Sequence, residues 1–142
     1  MANNLSAFLK KNKKPRPNVF YAASADFVDA EGKPVLWELK PLTTAEHERI
    51  RDACIHESTD KKGRTTQKMD NSELLAKMAA ASIVYPNLYD AALQDDYGVK
   101  TPEALLKEMI DNPGEYAELM KKVTAVSGFD QDMEAEIEEA KN

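Results

Sequence analysis

The chain has a single cysteine, Cys54, and only five glycines among 142 residues. A lone cysteine cannot form an internal disulfide, which indicates a reducing compartment. The N-terminus, MANNLSAFLKKNKK, places its charges after a very short apolar patch, the reverse of a secretory signal, so we expect a cytoplasmic protein. With so few glycines there is no GxGxxG or Walker loop, and nucleotide binding is unsupported.

Long apolar runs are also missing. The longest candidate, Met78 to Tyr85, contains Ser82 and stops at Pro86, well short of the roughly 20 residues that span a bilayer. The sequence therefore predicts no membrane-spanning segment. Its 42% hydrophobic and 31% charged residues, without a low-complexity tract, are typical of a folded domain, and the length suits one domain.

Residues that carry chemistry are scarce. The only histidines are His47 and His56, and Cys54 lies near them, but Cys54-x-His56 matches no strong metal-ligand spacing. His56, Ser58 and Asp60 share a polar stretch that offers neither fixed orientation nor oxyanion donors. We therefore expect no catalytic residues, no metal and no cofactor.

The charge is distributed unevenly. The net charge of −6 disfavours a general affinity for nucleic acid, which needs concentrated cationic surface. Residues 10–16 are nevertheless basic and residues 129–142 acidic. We expect the basic segment to balance an acidic partner or the chain's own tail. The alternative is a nucleic-acid-binding arm with Phe20 and Tyr21 as stacking residues.

Residues 1–17 are predicted to form a short helix and a basic linker. Leu5, Phe8 and Leu9 stand at i, i+3 and i+4, and the helix must end before Pro15. We favour a helix docked on the protein's own core, and the alternative is a detachable element that binds a partner.

A β-hairpin is predicted over residues 19–40, because apolar residues alternate there with period 2. Gly32, in the connecting DAEGK, supplies the positive φ that such a loop usually needs. The face that carries Trp37 must rest on helices, since an isolated hairpin is marginal in water. The residues predicted to face inward are Val19, Tyr21, Ala23, Ala25 and Phe27 on the first strand, and Val35, Trp37 and Leu39 on the second.

Helices follow the hairpin within a single globular domain over 18–128. Thr43 and Glu46 form a predicted capping box for a surface helix. The next helix is apolar nearly all round and should be central. Thr101 and Asn112, each followed by proline, are predicted to cap the N-termini of two further helices. The predicted helices span about 43–54, 72–85, 101–111 and 113–127, with a helical turn or two ending at Gly98.

Two segments are predicted to lie outside regular structure. Glu57 to Asp70 holds one apolar residue, Met69, and is expected to be a mobile loop. Residues 129–142 form an acidic tail. The fold class is therefore α+β, mainly α, with an N-terminal β-hairpin packed on a small bundle of about four to five helices.

Three segments resemble a known family: ASIVYPNLYDAALQDDYGV, EALLKEMIDNPGEYAELMKKV and SGFDQDMEAEIEEAKN. They are similar to the XkdN-like tail assembly chaperones of contractile-tailed phages and defective prophages of Gram-positive bacteria. The resemblance covers nearly the whole chain, including the predicted hairpin. Its markers are Tyr85, Pro86, Leu88, Leu93, Gln94, Tyr97, Gly98, Pro113, Gly114, Glu115 and Tyr116.

The resemblance implies a non-virion protein of the bacterial host cytoplasm that coats the tape measure protein and recruits tail tube subunits. The chain could also form a homo-oligomer. The alternative role is that of a minor structural component of the tail. Such chaperones often occur with a frameshifted longer form, and Ala140-Lys141-Asn142 permits a slippery adenine run, so we expect this chain to be the short form. The candidate partner-binding residues are Tyr85, Pro86, Leu88, Leu93, Gln94, Tyr97, Leu5, Phe8 and Leu9.

Overall fold

The computed structural model describes residues 5–129 and has five α-helices, a three-stranded antiparallel sheet and a separate two-stranded hairpin. This architecture confirms the predicted α+β, mainly α class. In chain order the elements are β1 Val19–Tyr21, β2 Trp37–Leu39, α1 Thr44–Ala53, β3 Ile55–Thr59, β4 Thr65–Met69, α2 Asn71–Ser82, β5 Ile83–Tyr85, α3 Ala91–Asp96, α4 Pro102–Met109 and α5 Pro113–Val126.

The core lies between one face of the sheet β1-β2-β5 and the helices α2, α4 and α5. Trp37 and Leu39 point into it from the central strand β2, as the period-2 pattern predicts. α2 is the buried helix that its composition predicts, whereas α1 has no buried residue and lies on the surface. The central members of the core are Trp37, Leu39, Met78, Ala79, Leu88, Leu105, Leu106, Leu119 and Val123.

Local capping fixes where the helices begin. Thr43 and Glu46 form the predicted capping box of α1. Thr101 Oγ1 accepts from the N–H of Ala104, and Asn112 Oδ1 accepts from two N–H groups at the start of α5. These side chains satisfy backbone donors that the first helical turn leaves without partners.

α2 ends earlier than predicted. The expected helix over 72–85 stops at Ser82, and Ile83–Tyr85 forms the edge strand β5. Two bonds explain the change: Lys40 N–H donates to the Ser82 carbonyl at 2.8 Å, and Ser82 Oγ donates to the Lys40 carbonyl at 2.7 Å. Because these bonds hold the chain against β2, pairing with the sheet replaces the last helical turn.

The polar segment predicted as a mobile loop, Glu57 to Asp70, is instead mostly an antiparallel hairpin. β3 and β4 pair from Ile55 with Met69 to Thr59 with Thr65. Asp60 Oδ1 accepts from two backbone N–H groups of the turn, and Gly63 has φ 79° there. Every residue of both strands is exposed. Backbone pairing and turn geometry therefore order a segment that contributes nothing to the core.

The N-terminal helix is not docked on the core, contrary to expectation. Residues 5–12 form two short 3₁₀ turns in which no residue is buried. Leu5, Phe8 and Leu9 are all exposed, Phe8 by 82%. Ala25, which the alternation predicts to face inward, is exposed, and its N–H donates to the Glu115 carboxylate.

The predicted acidic tail lies outside the described residues except for Phe129, and so does the Ala140-Lys141-Asn142 sequence. None of the helices between residues 5 and 129 has the length and apolar character needed to cross a membrane.

Candidate partner-binding surface

The outer face of the sheet carries a row of three cross-strand neighbours. Phe20 of β1 is opposite Glu38 of β2, and Glu38 is opposite Tyr85 of β5. Phe20 is 62% exposed and Tyr85 55% exposed. Asn18 Nδ2 donates to Glu38 Oε2 at 2.8 Å, which restrains the carboxylate between the two rings. We call this row, with the exposed Leu36 that precedes β2, the outer-sheet surface.

Tyr85 also borders an apolar groove of about 360 Å³. The buried Trp37 contributes to its lining, and the Phe27 ring lies with its centroid 6.3 Å from that of Trp37. The segment before β2 is held beside the groove because the Val35 N–H donates to the Phe27 carbonyl at 2.8 Å. The groove is lined by Asp26, Phe27, Val28, Val35, Trp37, Tyr85, Pro86 and Met109.

Of the candidate partner-binding residues, Tyr85 and Pro86 lie together at the groove. A cis peptide bond joins them at the end of β5. Leu88 is instead fully buried. Gln94 Nε2 donates to the Leu88 carbonyl at 2.8 Å, so this side chain fixes the turn before α3.

The remaining candidates occupy two other places. Leu93 and Tyr97 of the α3 region are half-buried against the core. Leu5, Phe8 and Leu9 are exposed on the N-terminal turns and do not line the groove. The structure thus brings two of the nine candidates into one exposed apolar surface.

Sequence reasoning did not assign Glu38 to this surface, and it named Phe20 only as a stacking residue of the alternative nucleic-acid-binding arm. The signal for Phe20 was present, because alternation puts it on the face opposite Val19 and Tyr21. That signal alone does not show that the opposite face remains uncovered, which depends on how β5 and the helices pack.

The histidines and the cysteine are not assembled for chemistry. Cys54 is buried, and burial is the main cause that raises the pKa of its thiol. His56 Nε2 lies 2.7 Å from Glu73 Oε2 on the exposed side of α2. The His47 ring lies 4.9 Å from the ring of Phe129. Within residues 5–129 no group of three or more His, Cys, Asp or Glu side chains could hold a metal ion.

Comparisons with known proteins agree on one family. The family model described as phage XkdN-like tail assembly chaperone protein matches residues 5–141. The chain is 32% identical to the phage-like element PBSX protein XkdN of Bacillus subtilis (strain 168), over 98% of this chain and 94% of that protein. It is 33% identical to the uncharacterized protein YqbN of the same strain, over 98% of this chain and 93% of that protein.

A solved structure supports the fold. The crystal structure of the protein YqbN superposes with a TM-score of 0.77 at 24% identity, covering 91% of this chain and 99% of that chain. The fold is therefore shared over almost the whole length of both chains. The match of the family model over residues 5–141, which covers well over half of the sequence, places the chain in the family of phage XkdN-like tail assembly chaperones, which is not a family of enzymes.

Proposed function

We propose that the chain is a non-virion chaperone that binds the tape measure protein of its phage or prophage and recruits tail tube subunits around it during tail assembly. Family membership supports the coarser part, namely that its partners are phage tail proteins. The outer-sheet surface supports the finer part, since it combines exposed aromatic rings with an adjoining groove.

The chemistry of the surface suits an apolar segment of a partner. Burying a large apolar side chain stabilises a complex by about 1.5–3 kcal/mol, and Phe20 and Tyr85 are both available for such burial. The groove beside Tyr85 can receive one partner side chain, while Glu38 limits the apolar area. A small interface of this kind favours exchange over permanent binding, as a chaperone that is later released requires.

Coexpression with the tape measure protein tests the proposal. Tyr85→Ser and Phe20→Ser remove exposed rings and should each lower the amount of tape measure protein copurified by at least about tenfold, the equivalent of 1.4 kcal/mol. Tyr89→Ser is the matched control, because Tyr89 is comparably exposed but lines a different pocket, beside α1. It should leave copurification unchanged.

Equal copurification by all three variants would contradict the assignment of the surface. Failure of the unaltered chain to retain the tape measure protein would contradict the proposed function itself. Mass spectrometry of finished tails addresses the alternative role: a non-virion chaperone should be absent from them, whereas a minor structural component should be present at fixed stoichiometry.

A further inference from the structure

A second surface, separate from the outer-sheet surface, concentrates positive charge. A cleft of about 420 Å³ lies between the N-terminal segment and the connection from β2 to α1. We call it the basic cleft. The lining residues that matter here are Lys10, Lys13, Lys14, Arg16, Lys40 and Thr43.

Few carboxylates balance this charge in the described part of the chain. Within residues 5–129, the one ion pair recorded for a lining cation joins Lys40 Nζ to Glu46 Oε2 at 3.1 Å. Arg16 Nη2 donates to a neutral group, the Leu42 carbonyl, at 3.4 Å. Like charges held close together repel one another, so an anionic occupant would stabilise the cleft.

The end of α5 lies beside the cleft wall. The Leu42 N–H donates to Ser127 Oγ at 3.0 Å, which ties the segment between Pro41 and Thr43 to the C-terminal end of the helix. A Cβ on Gly128 would lie 4.0 Å from Arg16 Nη1. The last described residues, at the end of α5, therefore lie next to Arg16 of the basic cleft.

We infer that the basic cleft holds the chain's own acidic C-terminal segment, residues 130–142. This inference goes beyond the proposed function. The segment has six carboxylates and one lysine, so its charge is opposite to that of the cleft. At about 3.3 Å per residue its thirteen residues reach roughly 40 Å, which is more than a neighbouring cleft requires.

The covalent connection strengthens a contact that would be weak between separate molecules. A short tether gives an effective concentration in the millimolar range. The contact is electrostatic and exposed, so salt should weaken it.

Paramagnetic broadening in the full-length chain tests the contact. Cys54→Ser removes the native thiol, and Ala140→Cys carries a spin label. The backbone amides of residues 10–18 and 40–43, apart from Pro15, Pro17 and Pro41, which have no N–H, should be broadened several times more than those of residues 55–69 in low salt. The difference should disappear at about 0.5 M NaCl, where the Debye length falls to about 4 Å.

Charge removal provides the matched comparison. Replacing Lys10, Lys13 and Lys14 by alanine should abolish the selective broadening, while replacing Lys61, Lys62 and Lys68 of the exposed β3-β4 hairpin by alanine should not. Neutralising Glu134, Glu136, Glu138 and Glu139 to glutamine should abolish the selective broadening in a chain whose cleft residues are unchanged. Broadening that survives both sets of changes overturns the inference.

Binding of a short DNA duplex tests whether the cleft is occupied by residues 130–142 or is free to bind another polyanion. If residues 130–142 occupy the cleft, neutralising them should increase any binding of DNA measured through the amides of residues 10–18. Equal affinity for the duplex with the native and the neutralised segment would show that the cleft is open, and would overturn the inference. Neither result depends on binding to the tape measure protein, so the proposed function is tested separately.

Discussion

Glu115 connects two parts of the chain that are far apart in sequence. Its Oε1 accepts from Ser24 Oγ at 2.8 Å and its Oε2 accepts from the Ala25 N–H at 2.9 Å. Ser24 is buried, and its hydroxyl also accepts from the Asp26 N–H. The carboxylate therefore holds the segment after β1 against the start of α5, close to the position where Phe27 enters the groove.

Glu115→Ala should lower the free energy of unfolding by about 1–3 kcal/mol, because it leaves the buried Ser24 hydroxyl without its acceptor. Urea unfolding measures the loss. Glu118→Ala on the same helix is the control: Glu118 is exposed and forms a surface ion pair with Lys121 at 3.5 Å, so its removal should change the free energy of unfolding by less than about 0.5 kcal/mol. Equal losses would contradict a specific role for Glu115.

At the scale of the element, α1 has a complete N-terminal cap and one half-buried contact with the core, through Ile50. Glu46 accepts from the Thr43 backbone N–H at 3.0 Å and from Lys40 Nζ at 3.1 Å. The bond from the Thr43 backbone, followed by the bond from Lys40, lowers the pKa of Glu46 from its ordinary value of 4.5. No residue of the helix is fully buried, so the cap should contribute a large share of its stability.

The cap should make part of the stability depend on pH. A carboxyl group whose pKa is lowered by folding contributes stability above its unfolded pKa, and that contribution is lost as the pH falls through the folded value. Glu46→Gln should therefore destabilise the protein most near neutral pH, and the difference from the unaltered chain should shrink as the pH falls below 4.5. Urea unfolding at several pH values measures it.

Two comparisons make this result specific to the cap. Thr43→Ala removes the side-chain acceptor for the Glu46 N–H and should cost about 1 kcal/mol. Glu48→Gln lies on the exposed face of the same helix and should show no such pH dependence. A difference between Glu46→Gln and the unaltered chain that stays constant across the range would rule out the protonation of Glu46 as its source.

At the scale of the whole molecule, the two faces of the sheet differ in burial. The inner face is closed by helices and supplies the core, whereas the outer face keeps apolar side chains exposed. Neighbouring residues of one segment illustrate the division: Leu39 is completely buried, and Leu36 is 54% exposed. The inner side of these strands therefore carries the stability, and the outer side is the one that we propose for partner binding.

Leu39→Ala should reduce the free energy of unfolding by about 2–5 kcal/mol, since it leaves a cavity in the core. Leu36→Ala should change it by no more than about 0.5 kcal/mol. Trp37, the single tryptophan and almost fully buried, reports core unfolding by fluorescence. Its transition should coincide with that seen by far-UV circular dichroism, as two-state unfolding requires. A large loss in Leu36→Ala would show that the outer face also supports the core.

The sequence by itself determined those features that depend on near neighbours. The caps at Thr43, Thr101 and Asn112 act within three residues of each helix start, so the starts of α1, α4 and α5 followed from local chemistry. The apolar composition of α2 identified the central helix, and alternation identified β1 and β2. Family resemblance named Tyr85 and Pro86 as candidate partner-binding residues, and both line the groove.

Only the tertiary structure decided the end of α2 and the membership of the outer-sheet surface. Ile83–Tyr85 follows a helical pattern, yet it becomes a strand because Ser82 bonds to Lys40, 42 residues earlier. That pairing places Tyr85 opposite Glu38 and leaves it exposed. Apolar periodicity shows which residues share a face, but it does not show which face the rest of the chain will cover, because coverage is set by contacts between residues distant in sequence.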